Sequence, residues 1–474
     1  MELIHILVFS ALAALYFVLP ARARTWFLFV VSVIVIYWLQ PTLNIRWLDY
    51  SLPTLTLVIV GVSWALTKPR DAAVQREDIF AALIMIGLAL LLVLPRYVEL
   101  PISITSRPPP IEPTLLGLSI ALILGAALTR LKTPLLLTLG IVAVVVIFAI
   151  IKTEPLTTWL ASLLRANSGQ DVTIASAVDV GWLGFSYVAF RLISTIRDRQ
   201  MGILPALTLR EYVTYVIFFP AYTAGPIDRA EPFIEQYRTI TTLNRFDADR
   251  ITQGLTRIMI GLAKKFVIAD SLAVFSLNAD SAAQANSSIA LWLMLYAYAF
   301  RLFLDFSGYS DIAIGIGILF GIKLPENFNR PYSKANITVF WQSWHASLSN
   351  WARTYIYAPL SRNLLRTKRF SNDMVVLLCN LATMIVIGLW HGVTLPFFIW
   401  GLWHGIGLFT HKAWTDRTRK WYRGLQAQPS RARAWNIAGI LLTFHFVLLG
   451  WVWFALPDVN TAATTFARLF GIGF

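Results

Sequence analysis

Apolar segments recur from one end of the chain to the other, separated by short polar stretches. Each is roughly 17 to 22 residues long, enough to cross the hydrocarbon core of a bilayer as a helix. The pattern predicts membrane-spanning helices at about 1–20, 25–40, 51–67, 79–94, 114–129, 134–151, 174–192, 372–391, 394–411 and 434–455. The sequence therefore predicts an all-α, polytopic integral membrane protein.

The segment from about 211 to 362 is apolar but irregular. It is interrupted by Pro220, Pro226, Gly308, Pro325 and Pro331, and it carries Lys264, Lys265, Arg301, Asp305 and Asp311. Irregular backbone and charge are tolerated at membrane depth only where protein or a water-filled cavity surrounds them. We therefore expect re-entrant or broken helices here.

Basic residues alternate between the predicted loops. They follow the first, third, fifth and seventh spans, as Arg22 with Arg24, the stretch 68–76, Arg130 with Lys132, and Arg197 with Arg199. Cytoplasmic loops are enriched in Lys and Arg, so the N-terminus is predicted to be extracytoplasmic. The basic stretches 362–369 and 412–433 are then cytoplasmic. Segment 1–20 lacks a charged leader and a cleavage site, so we interpret it as a retained helix.

Composition supports the membrane class and excludes others. Hydrophobic residues make up 57% of the chain and charged residues 14%, below the roughly 25% of soluble domains. The net charge of +15 does not indicate nucleic-acid binding, because Lys and Arg are confined to the clusters between apolar segments. The single cysteine, Cys379, lies in an apolar segment and is expected to serve packing.

The pentapeptide Gly-Leu-Trp-His-Gly occurs twice, at 388–392 and at 401–405. Flanking glycines allow a backbone or a ligand to approach the histidine closely. An embedded imidazole needs a hydrogen-bond partner or a functional cavity. The spans 372–391 and 394–411 lie between two basic stretches, so they are predicted to form a hairpin that is entered and left from the cytoplasm. This hairpin sets His391 toward the outer side, where we favour a functional role, and His404 nearer mid-membrane, where we favour packing.

A third histidine, His345, lies in the aromatic and hydroxyl-rich stretch 340–351, which fits a buried re-entrant helix. Arg301 and Asp305 have the i, i+4 spacing of a helical ion pair. The polar residues around Gly308 could orient a histidine or line a tunnel. The candidate lining residues are Asp305, Tyr309, Ser310, Asp311, Trp344, Ser347, Ser349 and Arg353.

Several kinds of site have no motif in this sequence. A nucleotide phosphate loop, a His-Glu-x-x-His zinc motif and a cysteine pair are all missing. We therefore expect no metal and no resident cofactor.

Several stretches resemble membrane-bound O-acyltransferases. In chain order they are 219–220, 224–227, 261–270, 305–315, 324–332, 340–357 and 388–392. More narrowly, they are similar to the branch that contains the membrane subunit of bacterial alginate O-acetylation and the D-alanyl transferase of teichoic acids. The resemblance covers about residues 180 to 410, and the first 170 residues match only in hydropathy.

The resemblance implies a ring of tilted helices with re-entrant segments around a central tunnel. It implies functional roles for His391, in the Trp-His-Gly motif, and for His345, in the Trp-His-x-Ser-Leu-Ser motif. We interpret His391 as the general base and His345 as a helper that orients the donor or polarises its carbonyl. The chain divides into N-terminal transmembrane helices (1–170), a catalytic core (171–415), and a cytoplasmic basic loop with the last transmembrane helix (416–474).

The expected function is transfer of an acyl group, acetyl as first choice, from a cytoplasmic thioester to a hydroxyl of an extracytoplasmic polysaccharide or cell-wall polymer. Acetyl-coenzyme A is the expected donor. An acyl carrier protein and D-alanyl transfer to a teichoic-acid-like polymer stay open, because 225–229 resembles the D-alanyl branch.

The expected surroundings are the cell membrane and, outside it, a partner acyltransferase or the glycan acceptor itself. Lipid or sterol acylation is an alternative within the same superfamily. A proton-coupled secondary transporter is the alternative from another class. It is disfavoured because transporters commonly show related halves, and here the irregular sequence is confined to one half.

Overall fold

The computed structural model describes residues 3–69, 72–98, 108–131, 134–244 and 246–473. These ranges are helical and contain no β-strand. Lys132, one of the residues used for the topology, lies outside them. Eight of the described helices are long and apolar enough to cross a membrane. The prediction of an all-α, polytopic membrane protein is therefore confirmed, while the ring and tunnel stay a prediction.

The chain packs as two compact units. The first comprises Met1–Ile258 and Ala313–Leu324, and the second comprises Met259–Ile312 and Pro325–Phe474. The first half of the chain contributes α1 (Leu3–Val18), α2 (Ala21–Leu39), α3 (Leu48–Thr67), α4 (Arg76–Leu91), α5 (Ile111–Arg130), α6 (Pro134–Lys152), α7 (Glu154–Asn167), α8 (Phe185–Gln200), α9 (Leu209–Val216) and α10 (Ala230–Thr239).

The second half of the chain continues with shorter helices and four long ones. They are α11 (Ala248–Leu262), α12 (Asp270–Ala273), α13 (Ala279–Gln284), α14 (Ser288–Leu319), α15 (Ile337–Ser343), α16 (Ala346–Ala352), α17 (Ala358–Thr367), α18 (Asn372–His391), α19 (Leu395–Gln426), α20 (Pro429–Ala455) and α21 (Val459–Leu469). Seven-residue and five-residue π-helical turns cover Ala263–Ala269 and Arg353–Tyr357.

The predicted span at 174–192 is wrong. Helix α8 begins only at Phe185, because Gly184 takes a left-handed φ of 76° that ends the preceding loop. The stretch between the predicted spans at 134–151 and 174–192 contains α7, whose buried Arg165 lies 2.7 Å from Asp179. That guanidinium holds the pKa of the Asp179 carboxyl below its usual range. Hydropathy missed α7 because the helix is amphipathic.

The expectation of broken helices between 211 and 362 is confirmed in part. Short helices occur on both sides of α14, but α14 itself runs unbroken for 32 residues through Gly308. The predicted ion pair of Asp305 with Arg301 is also wrong, because Asp305 pairs with Lys265. Lys265, in the π-helical turn at Ala263–Ala269, supplies the positive charge that the sequence pattern assigns to Arg301.

The basic stretch predicted as a cytoplasmic loop is helical. Helix α19 continues to Gln426 and α20 starts at Pro429, so only Ala427 and Gln428 separate them. Trp435 on α20 packs against Trp421 on α19 with ring centroids 5.0 Å apart. The basic residues correctly mark the end of the apolar segment. They do not mark the end of the helix, because Lys and Arg are good helix formers.

Candidate active site

A cavity of about 60 Å³ lies within the second unit and is lined by His345 and His391, the two histidines for which the sequence predicts a functional role. We name it the histidine cavity. It is lined by Leu302, Phe306, Trp341, Trp344, His345, Leu348, Ile387, His391, Trp400, Trp451 and Phe454. Apart from the two imidazoles, every lining side chain is aliphatic or aromatic. The cavity therefore offers two titratable groups in apolar surroundings.

His391 is the last residue of α18, and the extended backbone of Gly392 ends the helix there. Its ring makes T-shaped contacts with Phe454 and Trp390, at centroid distances of 4.7 Å and 4.5 Å. Phe397 stacks on it at 5.8 Å. Aromatic packing on several sides thus sets the direction of an imidazole that projects from a helix end.

His345 directly precedes α16 and has a left-handed backbone, with φ 41° and ψ 51°. Such a conformation is uncommon for a residue other than glycine and is found where the surrounding structure enforces it. The ring is buried and lies at 90° to Phe306, with centroids 4.7 Å apart. Trp390 contacts both histidines, since its ring lies 6.2 Å from His345 and 4.5 Å from His391.

Asn327 is a site residue that the sequence reasoning missed. Its fully buried Oδ1 accepts hydrogen bonds from the Ser347 backbone N–H at 3.2 Å and the Ser347 hydroxyl at 2.7 Å. The same oxygen lies 3.1 Å from Nδ1 of His345. Its Nδ2 donates to Ser310 at 3.3 Å. The signal was present, because Asn327 belongs to the stretch 324–332 that carries the family resemblance.

A second cavity, of about 320 Å³, adjoins the first. It shares Trp341 and Ile387 with the histidine cavity, and we name it the polar cavity. Its lining is Thr338, Trp341, Gln342, Ser349, Asn350, Arg353, Tyr357, Asn380, Thr383, Met384, Ile387 and Leu408. One guanidinium with several hydroxyl and amide groups makes it suited to a larger, polar and anionic ligand portion.

The structure divides the predicted lining residues into groups. Trp344 lines the histidine cavity, and Ser349 and Arg353 line the polar cavity. Ser310 and Ser347 bond to Asn327, so polar groups near Gly308 do help to orient a histidine, through one intermediate residue.

The two acids, Asp305 and Asp311, line neither cavity, and both form ion pairs. Asp311 lies 2.6 Å from Lys264, and Asp305 pairs with Lys265. Tyr309, between them in sequence, is buried on α14. Among the described residues, no group of histidine, cysteine and acidic side chains could hold a metal ion.

His404, in the second pentapeptide, is fully buried and lines neither cavity. Its ring packs against Trp341 at 5.1 Å and Trp400 at 4.8 Å. His404 therefore packs against two tryptophans that line the histidine cavity but does not line the cavity itself. In this it differs from His391.

The glycines of both pentapeptides lie where α18 and α19 pack closely. A Cβ on Gly388 would collide with the carbonyl oxygen of Phe397, and one on Gly401 would come within 2.6 Å of the Met384 carbonyl oxygen. Backbone atoms cannot move aside as the end of a side chain can. The glycines thus allow the hairpin that carries His391 to close.

Gly388→Ala is expected to destabilise the protein by about 1 to 3 kcal/mol through this backbone clash, read as a lower thermal midpoint in detergent. Gly117→Ala is the matched control in a helix with no atom near the new methyl. It should leave the midpoint unchanged or raise it, since alanine favours helix over glycine. Equal midpoints for both variants would contradict the close packing.

The fold and the cavities define a class: a multi-pass membrane protein whose interior holds an apolar cavity with two imidazoles beside a larger polar cavity. The family model of the MBOAT, membrane-bound O-acyltransferase family matches residues 156–455, more than half of the chain. The chain belongs to this family.

Named relatives come from three kinds of polymer modification. The chain is 35% identical to a probable alginate O-acetylase of Pseudomonas putida over 61% of this chain and 56% of that protein. It is 37% identical to a peptidoglycan O-acetyltransferase of Helicobacter pylori over 55% and 47%. It is 33% identical to a teichoic acid D-alanyltransferase of Streptococcus thermophilus over 58% and 68%. The chain thus spans about half to two thirds of the length of these relatives.

Proposed function

We propose that the protein transfers an acetyl group from a cytoplasmic thioester donor to a hydroxyl group of an extracytoplasmic polysaccharide or cell-wall polymer. The observation that carries this proposal is the histidine cavity, in which His345 and His391 share one small apolar space. O-acetylation is the activity named for the relatives from Pseudomonas and Helicobacter, which supports the choice of reaction.

His391 acts as the general base in this proposal. Its neutral imidazole takes the proton of the acceptor hydroxyl while the hydroxyl oxygen bonds to the thioester carbonyl carbon. The carbon–sulfur bond then breaks, and the departing thiolate takes the proton from the imidazolium. General-base catalysis of this kind contributes roughly 10² to 10⁴ in rate. The aromatic packing of His391 favours this role, since it holds the ring in one orientation.

The size of the histidine cavity favours acetyl over larger acyl groups. At about 60 Å³ it has room for about four waters, enough for the three heavy atoms of an acetyl group. Charge also discriminates, because the ammonium group of a D-alanyl thioester would enter a lining without any carboxylate. An unpaired buried charge costs several kcal/mol.

The polar cavity supports a donor with a long polar arm. In the proposed topology the basic stretches at 362–369 and 412–433 face the cytoplasm, and Arg353 of the polar cavity lies nine residues before the first of them in sequence. Coenzyme A meets these features with its phosphates and amides. The acceptor reaches His391 from the other side of the cell membrane, with a partner acyltransferase or the glycan itself as the recipient.

Purified protein in nanodiscs should separate the two donors. With a soluble oligosaccharide acceptor, acetyl-coenzyme A is expected to support ester formation at least about 100-fold faster than a D-alanylated carrier protein, because of the unpaired ammonium. The measurement is the initial rate of ester formation by mass spectrometry.

Protein without added acceptor serves as the control for simple thioester hydrolysis. Faster transfer from the D-alanylated carrier would contradict acetyl specificity and favour the D-alanyl transferase alternative, which the Streptococcus relative represents. Donor movement across the bilayer without any ester would contradict acyl transfer itself and favour a transporter.

A further inference from the structure

We infer that Asn327 is a positioning residue that holds His345 in its Nδ1–H tautomer, so that the unprotonated Nε2 serves the cavity as a hydrogen-bond or proton acceptor. This inference rests on the acyl transfer proposed above and names how one of its two histidines takes part.

The orientation of the Asn327 amide follows from a donor that cannot be reversed. The Ser347 backbone N–H points at one atom of this amide from 3.2 Å, and a backbone N–H can only donate. That atom is therefore the oxygen Oδ1, and Nδ2 is the atom that reaches Ser310.

The tautomer of His345 follows in the next step. Nδ1 of His345 lies 3.1 Å from the same Oδ1, which can only accept. Nδ1 must therefore carry the proton, and in a neutral imidazole Nε2 then carries the lone pair. Nε2 has no hydrogen-bond partner within the described part of the chain.

Asn327 also stabilises the left-handed backbone of His345. The carbonyl oxygen of Asn327 accepts the N–H of Ala346 at 2.9 Å, and its side chain binds His345 and Ser347. Three consecutive residues are thus tied to Asn327, and the first of them has the left-handed backbone. An asparagine that orients a catalytic histidine in this way has a parallel in cysteine proteases.

The charged groups around His345 leave this tautomer undisturbed. The residues in contact with its ring, Phe306, Asn327 and Trp390, are uncharged. The nearby titratable groups are His391, which lines the same cavity, the exposed Glu326, the buried Tyr309, and Asp305 and Asp311, whose charges are paired with Lys265 and Lys264.

The consequence is a choice between the two roles considered for His345. A neutral imidazole with its lone pair on Nε2 cannot donate a hydrogen bond to a thioester carbonyl. It can accept one from an amide N–H of the donor arm and so orient the donor. His345 is therefore required in its neutral form.

Nitrogen NMR of full-length, ¹⁵N-histidine-labelled protein in nanodiscs tests the tautomer without any assay of activity. A His345→Gln variant assigns the signals. The expected wild-type spectrum has a protonated Nδ1 and an unprotonated Nε2, and Asn327→Leu should lose this single tautomer. A protonated Nε2 in the wild-type protein would overturn the inference.

The pH titration of the His345 nitrogen signals is the second readout. Asn327→Asp keeps an oxygen that accepts from His345 and Ser347 but loses the Nδ2 donor to Ser310, and its carboxylate favours the imidazolium. The titration profile should therefore move up by about one pH unit. Acetyl transfer from acetyl-coenzyme A to a soluble oligosaccharide is the third readout. Asn327→Leu should lower kcat by up to about 100-fold through misplacement of the ring.

Asn329→Asp is the matched control, since its exposed side chain lies two positions further along the same stretch. It adds the same charge and should leave the profile in place. A profile of Asn327→Asp that overlays the wild type would overturn the inference. A wild-type protein without transfer from any donor would instead refute the proposed function, while the NMR result would stand.

Discussion

Replacing His391 with alanine is expected to lower acetyl transfer by about 10² to 10⁴-fold while the protein remains folded and membrane-inserted. The imidazole of His391 is the proposed base and projects from the end of α18 beside Gly392. The other imidazole that lines the cavity, His345, has a different position and a different proposed role. The measurement is the initial rate of ester formation from acetyl-coenzyme A, divided by the amount of monodisperse protein.

The second pentapeptide supplies a control with the same local sequence. His404→Ala removes a fully buried imidazole that lines neither cavity, so its transfer rate per folded molecule should stay within about threefold of wild type. Its thermal midpoint should fall, because deleting buried ring atoms leaves a void. Equal loss of rate in both variants would contradict the separation of the two histidines.

Asp311→Ala is expected to cost about 3 to 5 kcal/mol of stability, the largest structural effect that we predict. Asp311 is buried and lies 2.6 Å from Lys264, so the substitution leaves the Lys264 ammonium without this countercharge. The measurements are the yield of monodisperse protein and its thermal midpoint. Lys264 is partly exposed, which sets the expectation at the lower end of the range.

The double variant Lys264→Met, Asp311→Leu tests the cause of this loss. It removes both charges and should recover most of the midpoint, because well-packed apolar residues can replace a buried pair. Asp416→Ala is the control for an exposed pair with Lys412 and should change stability by about 1 kcal/mol or less. A double variant as unstable as Asp311→Ala would show that the broken Lys264–Asp311 ion pair does not cause the loss of stability.

Hydropathy predicted most of the fold because a bilayer allows few alternatives. A spanning segment must satisfy its backbone internally, so a long apolar segment becomes a helix. The same reasoning fails at α7, whose amphipathic sequence gives no apolar segment, and at 412–433, where the basic residues predict a loop but the chain is helical. It also misjudged Gly308, because a glycine inside a helix can serve close packing and need not end the helix.

The two histidines could be predicted because each lies in a motif of unusual composition. Their shared cavity could not be predicted, since it is formed by residues from six separate helices and the loop at His345. Asn327 and Asp305 could not be assigned from the sequence either, because their partners are distant in sequence. The role of Asn327 depends on residues 18 to 20 positions away, and the partner of Asp305 lies 40 positions before it.

The central claim is that this chain moves an acetyl group from a thioester to a glycan hydroxyl. The most direct measurement is mass spectrometry of the extracellular glycans of cells that carry either wild-type protein or His391→Ala at equal membrane levels. Acetyl esters present with the wild type and missing with the variant are the predicted result. Equal esterification by a stably inserted His391→Ala protein would contradict the account.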